Sequence, residues 1–251
     1  MSRIARLIAC VVGLSALTVA LGPGSVLAKD EALFLRPEDH RFVLFAGADG
    51  GRSVFLSGGS KQALTGTLDR PGLLGLELTG IGLTHERIVI DGRAVAVRRF
   101  THQTSASLGW QTMLGPLYLA AYAGPELFQE QLTHRGRFAN FSKPRLGGRA
   151  QVELWAHPSP DTLITGTVIL SSANESVWAR MSGGIRAFSN AYLGPEVTFY
   201  TTPTYRETRW GGHVTGLALG IVTLRLSAGW MTEDGRRSLT PYASISAWMR
   251  L

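Results

Sequence analysis

The last forty residues of the chain, Trp210 to Leu251, constrain its fold more than any other stretch. Within them, two segments alternate between apolar and polar or small side chains, which is the period of a β-strand. The second segment keeps this alternation to the final residue, Leu251, and its other face carries Trp248 and Arg250. A strand with lipid on one side and a wet lumen on the other requires two such faces. The stretch therefore predicts the closing strand of an antiparallel transmembrane β-barrel.

Composition agrees with this interpretation. The chain has 251 residues, of which 45% are hydrophobic and only 17% are charged, and it contains 30 glycines. This length suffices for one large all-β domain. Beyond residue 28 no uninterrupted apolar run reaches the roughly 18 residues that a membrane-spanning helix needs. The sequence therefore argues against a helical membrane protein.

The N-terminus has the pattern of a secretory signal peptide. Arg3 and Arg6 precede an apolar run from Leu7 to Leu21, and the small-residue ending Val26-Leu27-Ala28 follows it. We predict a signal peptide over residues 1–28, with an uncleaved membrane anchor as the alternative. Cys10 is the only cysteine, so the mature chain is expected to contain no disulfide and no thiolate metal site.

The net charge is positive but dispersed. Without Arg3 and Arg6, 23 basic residues face 18 acidic ones, a balance of +5 for the predicted mature chain. Because the basic residues are scattered and often occupy alternate strand positions, an arginine-lined lumen or rim is favoured over nucleic-acid binding. We therefore expect no nucleic-acid partner.

Twelve strand-like segments follow a short periplasmic lead-in over residues 29–41, and together they predict a single barrel domain over residues 42–251. Ten or fourteen strands remain alternatives, and a soluble β-sandwich would show the same period. The longest connection, Gln131 to Arg145, is expected to be a loop, and whether it enters the lumen is left open. Aromatic residues near the strand ends, such as Trp155, Trp210, Trp230 and Trp248, are typical of interfacial girdles.

One motif occurs twice, as Ala121 to Leu127 (AYAGPEL) and Ala191 to Val197 (AYLGPEV). The strand period places the tyrosine, glycine and glutamate of each copy on the polar face, so Glu126 and Glu196 should point into the lumen. Proline has no amide donor for the strand ladder. Each Gly-Pro therefore predicts a bulge or bend.

Seven charged residues are candidates for the lumen. Two carboxylates could flank a sugar as in glycosidases, but charges of opposite sign facing one lumen favour a network of structural salt bridges. Contact with a ligand or polymer and catalysis remain the alternatives. The candidates are Glu126, Glu196, Arg149, Glu153, Arg180, Arg186 and Arg225.

No catalytic or metal site is predicted from the sequence. The six histidines show no metal-ligand spacing, and no glycine-rich phosphate loop precedes a helix. His102 with Ser105 or Ser107 could imitate the exterior pair of a lipid-trimming outer-membrane enzyme. We expect no cofactor, no metal and no enzymatic activity.

Several short, glycine-rich pieces of the chain are similar to one protein family. Over roughly Phe42 to Leu251 the chain resembles the bacterial cellulose biosynthesis protein BcsS family, although residues 131–145 carry no family element and Leu251 replaces a terminal aromatic residue. The matching pieces are Phe45-Ala46-Gly47-Ala48-Asp49, Gly194-Pro195-Glu196, Arg209, Gly211, His213, Thr215-Gly216, Leu226-Ser227-Ala228-Gly229-Trp230 and the strand around Tyr242.

This resemblance implies an outer-membrane protein of a Gram-negative bacterium with an accessory, non-enzymatic role in making or exporting cellulose or another exopolysaccharide of a biofilm. The implied partners are outer-membrane lipid and cellulose or the cellulose synthase machinery. The resemblance supplies no catalytic residues. A lipid- or glycan-modifying enzyme and a simple solute pore are the alternatives.

Overall fold

The chain forms one closed, antiparallel β-barrel. The structure is a computed structural model that describes residues 40–90, 93–134, 137–234 and 238–251. The predicted signal peptide and most of the predicted lead-in lie outside the described residues. The strands are β1 (Phe42–Gly50), β2 (Ser53–Ala63), β3 (Gly72–Ile90), β4 (Arg93–Leu114), β5 (Leu117–His134), β6 (Arg137–Phe141), β7 (Arg145–Ala156), β8 (Thr162–Ser171), β9 (Ser176–Phe188), β10 (Ala191–Thr201), β11 (Arg206–Leu219), β12 (Val222–Glu233) and β13 (Thr240–Arg250).

Twelve of these strands close the barrel. Each pairs with its neighbours along the chain, β5 pairs with β7, and β13 returns to β1. The amide of Leu251 donates to the carbonyl of Phe42, so the last residue takes part in the closure. Barrel closure and the count of twelve strands are confirmed, and the sandwich alternative is wrong. In the described part of the chain, no helix is long and apolar enough to span a membrane.

The two faces of the wall have opposite character. Outward side chains are exposed and apolar, for example Leu108, Leu193 and Ile245. Inward side chains such as Gln103 and Thr198 are polar and buried. An apolar exterior around a polar interior is the arrangement by which a closed sheet crosses a membrane.

The aromatic residues are divided between these faces. Trp210 and Trp230 lie outside, opposite one another on β11 and β12, as an interfacial girdle requires. Trp155 and Trp248 instead point inward from β7 and β13, and their ring centroids lie 6.0 Å apart in an edge-to-face contact across the lumen. The interpretation of these two as girdle residues is therefore wrong.

A loop folds inward at the rim where β1 begins and β13 ends, here called the terminal rim. The connection between β2 and β3 folds inward, so that Leu68 packs with Leu74, Leu76 and Tyr122 in an apolar cluster. Gln111 Nε2 donates to the carbonyl of Thr67 at 3.1 Å, which fixes the loop in place. This inward fold explains why the connection between β2 and β3, residues 64–71, is longer than the other connections at the terminal rim.

The opposite rim, here called the distal rim, has one high wall. Strands β3, β4 and β5 contain 19, 22 and 18 residues, whereas the other barrel strands contain 9 to 14. The segment predicted as a loop over residues 131–145 is largely strand, because β5 continues to His134 and β6 pairs with its end. The loop prediction is therefore wrong, and this segment extends the wall.

The two Gly-Pro motifs mark close strand contacts. With the following strand, the register runs without a shift through Pro125 opposite Gly148 and Pro195 opposite Gly212. With the preceding strand, pairing is interrupted at both Gly-Pro steps and the register shifts between Ala191 and Tyr192, so the predicted irregularity lies on that side only. A Cβ atom on Gly194 would overlap the carbonyl oxygen of Gly183. Glycine is therefore required there because the neighbouring backbone comes too close for a side chain.

Replacing Gly194 by alanine is expected to lower the free energy of unfolding by about 1–3 kcal/mol, since the added methyl group forces two paired strands apart. Gly166→Ala is the matched control, because a Cβ atom there meets its nearest neighbour, Leu154 Cβ, at 3.8 Å. The control should change stability by less than about 0.5 kcal/mol. Urea titration of the fast-migrating, unboiled band on a gel measures both effects, and equal midpoints would contradict the packing argument.

Candidate functional site

The first buried ion pair of the lumen joins Glu126 to Arg149. Arg149 Nη1 lies 3.2 Å from Glu126 Oε1, and the two side chains are 1% and 0% exposed. Gln103 and Ser171 also donate to the Glu126 carboxylate. The four residues come from β4, β5, β7 and β8, so this set links four neighbouring strands of the barrel wall.

The second buried pair joins Glu196 to Arg225. The guanidinium of Arg225 donates to the carboxylate, to Ser182 Oγ at 2.9 Å and to Thr165 Oγ1 at 3.2 Å. His213 lies beside this group, buried, with Nε2 3.2 Å from the carbonyl oxygen of Gly183. This set links five neighbouring strands, β8 to β12, by buried side chains inside the lumen.

A third pair lies nearer the terminal rim. Glu153 pairs with Lys61, a residue that the sequence analysis did not single out. Gln151 Nε2 donates to Glu153 Oε1 at 2.8 Å. The ammonium group of Lys61 lies 5.7 Å and 5.5 Å from the ring centroids of Tyr118 and Tyr122. Together these groups occupy the lumen between the ion pairs and the terminal rim.

The two remaining candidates have other neighbours. The Arg180 guanidinium lies 5.3 Å from the Trp178 ring centroid. Arg186 is exposed at the terminal rim, where its Nε is 3.5 Å from Asp161 Oδ1. Although β9, which carries these two arginines, is next to the strand of Glu196, the ion pair of Glu196 is with Arg225 on β12.

These arrangements bear on the possible chemistry. Glu126 and Glu196 have separate sets of partners, so they do not face one another as a glycosidase pair would. Ser105 and Ser107 are buried inside, whereas His102 belongs to the outward face, so they cannot act together. Among the described residues, no group of three or more histidine or acidic side chains could hold a metal ion.

Above the ion pairs the barrel opens into a large cavity at the distal rim, here called the vestibule. It has a volume of about 1600 Å³ and is bounded on one side by the high wall of β3 to β5. Its lining combines both signs of charge with four aromatic rings. The rings belong to Phe55, Phe128, Tyr200 and Tyr205.

One side of the vestibule carries a connected set of acidic, basic and phenolic groups. The Tyr205 hydroxyl lies 2.6 Å from Glu207 Oε2 and 3.0 Å from Glu233 Oε1. Burial and these two carboxylates raise the pKa of Tyr205, so its hydroxyl remains a donor. Arg52 Nη1 lies 3.2 Å from Glu233 Oε2. Arg209 bridges Glu207 and Asp49.

The facing side repeats this combination. Arg99 on β4 binds Glu86 at 2.7 Å and Glu130 at 2.9 Å. The Arg145 guanidinium lies 4.9 Å from the Phe128 ring centroid. Flat aromatic and guanidinium surfaces therefore alternate with carboxylates around the opening.

The sequence analysis missed the vestibule. Among its residues, Asp49 and Arg209 were noted only as part of the family resemblance, and Arg145 only as the end of a predicted loop. The sequence does contain a signal for this site. Tyr200 and Glu207 lie near the ends of β10 and β11 on the polar face, and Tyr205 lies in the connection between the two strands. That signal becomes specific only when the strand ends are assembled around one opening.

Fold and site together define an outer-membrane β-barrel with a lumen filled by buried ion pairs and an open polar vestibule at one rim. The family model described as "Cellulose biosynthesis protein BcsS" matches residues 43–251. The chain belongs to this family.

Comparisons with other proteins concern the fold alone. No curated protein sequence matches the chain significantly. Among solved structures, the β domain of the Bordetella autotransporter BrkA is 13% identical, with a TM-score of 0.47 over 85% of this chain and 99% of that one. The CymD monoaromatic hydrocarbon channel is 7% identical, with a TM-score of 0.44 over 88% and 92%. The Acinetobacter baumannii outer membrane protein Omp33 is 10% identical, with a TM-score of 0.37 over 84% and 98%.

Proposed function

We propose that this protein is a non-enzymatic accessory of cellulose secretion that binds glucan in its vestibule and does not conduct the polymer through its lumen. The observation that carries the proposal is the contrast between the open vestibule, about 1600 Å³ in volume, and the filled lumen beneath it. Family membership supplies the polymer class.

The chemistry of the vestibule suits a β-linked glucan. Each glucose ring presents apolar C–H faces, which stack on aromatic rings, and equatorial hydroxyls, which bind carboxylates and guanidinium groups. Tyr200 and Tyr205, with ring centroids 5.6 Å apart, provide the first kind of surface. Glu207, Glu233 and Arg52 provide the second kind beside them. A few polar groups beside apolar rings are the usual composition of a ligand site.

The tightly occupied lumen supports the proposal that glucan binds at the rim and does not pass through the barrel. The side chains of Glu126 and Arg149 are almost completely buried, as are those of Glu196 and Arg225. Moving a glucan chain past them would separate buried charges from their partners, which is strongly unfavourable. The carboxylates of Glu126 and Glu196, which were the candidates for glycoside hydrolysis, are already occupied by hydrogen bonds to their partners. This supports a non-enzymatic role.

The proposal predicts that purified barrel in detergent binds cellohexaose saturably and releases no shorter sugars. Titration calorimetry measures binding, and chromatography of the incubated sugar measures cleavage. Maltohexaose is the matched ligand, because its α-linkages bend the chain away from the extended form of cellulose. We also expect a deletion strain to secrete less cellulose.

Three outcomes would contradict the proposal. Equal binding of the two sugars would remove the glucan specificity, and shortened cellohexaose would establish hydrolysis. Steady ion conductance of the purified barrel in a planar bilayer would favour a solute pore.

A further inference from the structure

Two residues from separate pieces of the family resemblance form an ion pair inside the vestibule. Asp49 lies on β1 and Arg209 on β11, and the Arg209 guanidinium donates to Asp49 Oδ1 and to Glu207 Oε1. The same guanidinium lies 5.4 Å from the ring centroid of Tyr242, which belongs to a third piece of the resemblance. The proposed function assigns no role to Asp49 or Arg209.

Both members of this ion pair keep an atom for a ligand. Arg209 uses Nη1 and Nε in its contacts, and Asp49 uses Oδ1. In the described part of the chain, no residue donates a hydrogen bond to Asp49 Oδ2 and none accepts one from Arg209 Nη2. Both residues line the vestibule, and the Asp49 side chain is 31% exposed. A carboxylate acceptor and a guanidinium donor therefore lie side by side at the wall of the cavity.

The vestibule is closed below this level. Arg209 lies three residues from the start of β11 at the distal rim. On the opposite wall, Gln103 lines the cavity, is 3% exposed and donates to Glu126 beneath it. The buried pairs of the lumen follow, and moving a polymer past them is strongly unfavourable. The high wall closes the cavity on one side, so a glucan chain that enters along the barrel axis ends here.

The tip of a glucan chain differs from its middle in the hydroxyls that it presents. At the non-reducing tip the 3- and 4-hydroxyls are neighbours on one ring, and at the reducing tip the 1- and 2-hydroxyls are. In such a pair, one hydroxyl donates to a carboxylate oxygen while its neighbour accepts from a guanidinium N–H. Internal glucose units keep only the 2- and 3-hydroxyls as neighbours, and these lie along the side of the glucan chain. A closed cavity with one acceptor beside one donor therefore suits a tip.

We propose that Asp49 and Arg209 bind the terminal pair of neighbouring hydroxyls of a glucan chain, so that the vestibule holds a chain end and not the middle of a chain. This inference rests on the proposed function, because that function makes glucan the ligand. Tyr200 and Tyr205 lie nearer the distal rim than Arg209, where they stack on the glucose units behind the tip. Hydrogen bonds to ionised groups are stronger than neutral ones, so the ion pair provides the polar specificity of the site.

Three sugars of equal length test the chain-end contact by titration calorimetry with the purified barrel. Cellohexaose has both tips free, its 4-O-methyl derivative lacks the donor at the non-reducing tip, and methyl β-cellohexaoside lacks it at the reducing tip. We expect a methyl group at the bound tip to weaken binding about tenfold or more, because it removes a hydrogen bond to a charged group. A methyl group at the other tip should leave the affinity unchanged, so the comparison also identifies which end is bound.

Asp49→Ala connects this preference to the ion pair. The variant should bind cellohexaose about tenfold more weakly and should no longer distinguish the three sugars. Asp69→Ala is the matched control, because the Asp69 carboxylate also binds an arginine, Arg250 at 2.9 Å, and is 30% exposed, but lies at the terminal rim. The control should keep both the affinity and the preference. The fast-migrating, unboiled band on a gel verifies that each variant is folded.

The possible failures are distinguishable. Equal affinity of the unmodified barrel for the three sugars, or equal loss with both methylated sugars, would overturn the chain-end contact while leaving glucan binding in place. An Asp49→Ala variant that keeps the full preference would overturn the assignment to this ion pair. If cellohexaose did not bind at all, the proposed function would fail and this inference with it. The comparison of the three sugars uses the unmodified protein, so it does not depend on the folding of any variant.

Discussion

Replacing Arg149 by methionine is expected to lower the free energy of unfolding of the barrel by about 3–5 kcal/mol. The substitution leaves the Glu126 carboxylate, whose side chain is 0% exposed, without its cation. Gln103 and Ser171 still donate to it, but two neutral hydrogen bonds do not replace a buried positive charge. The measurement is the urea midpoint for loss of the fast-migrating, unboiled band.

Two further variants separate charge burial from loss of packing. The double variant Glu126→Leu/Arg149→Met removes both charges and should recover most of the lost stability, because apolar replacements of a buried pair are often neutral. Arg206→Met removes one partner of an exposed pair, with Arg206 Nε 3.9 Å from Asp234 Oδ2, and should cost at most about 1 kcal/mol. A double variant no more stable than Arg149→Met alone would contradict the charge argument.

The barrel could be predicted from sequence because lipid imposes a simple rule on every strand. Outward positions must be apolar and inward positions can be polar, so alternation such as that from Ala243 to Arg250 defines both the strand and its environment. The same rule does not predict the short β6 or the inward loop between β2 and β3. Neither element has two faces in contact with lipid and lumen, so neither shows the alternating pattern.

Alternation indicates which face a side chain occupies but not which partner it meets. Glu196 on β10 lies next to β9, which carries Arg180 and Arg186, yet its ion pair is with Arg225, which lies two strands away on β12. Lys61 on β2 reaches Glu153 on β7 across the lumen. Strand tilt and side-chain length decide these contacts, and both depend on the register of the whole barrel.

The vestibule was missed for a related reason. Its aromatic residues lie on β2, β5 and β10 and in the connection after β10, far apart in sequence. The height of its wall depends on how far β3, β4 and β5 continue to pair beyond the membrane. No local sequence pattern predicts where these three strands end. Outside the membrane a strand continues for as long as it is hydrogen-bonded to a neighbouring strand, whatever the polarity of its two faces.

Replacing Tyr200 and Tyr205 together by alanine is expected to weaken cellohexaose binding about tenfold or more. Truncating two aromatic rings that stack on a ligand typically costs more than 1 kcal/mol, and both rings line the vestibule. Titration calorimetry with the purified variant measures the change. The matched control is Trp210→Ala/Trp230→Ala, which removes two neighbouring aromatic rings from the outer face. If both double variants lost affinity equally, the vestibule would not be the glucan site.

Tyr205→Phe then distinguishes stacking from the polar network. This variant keeps the ring beside Tyr200 but removes the hydroxyl that lies 2.6 Å from Glu207 and 3.0 Å from Glu233. If glucan binds mainly by stacking, affinity should change little, whereas loss as large as in the alanine variant would mean that the hydroxyl positions the carboxylates for the sugar. These variants leave the buried pair of Glu126 and Arg149 intact and leave Glu207 and Glu233 paired with Arg209 and Arg52, so the urea midpoint should fall much less than in Arg149→Met. A change in binding without a change in stability would therefore locate glucan recognition at the rim and separate it from the structural role of the lumen.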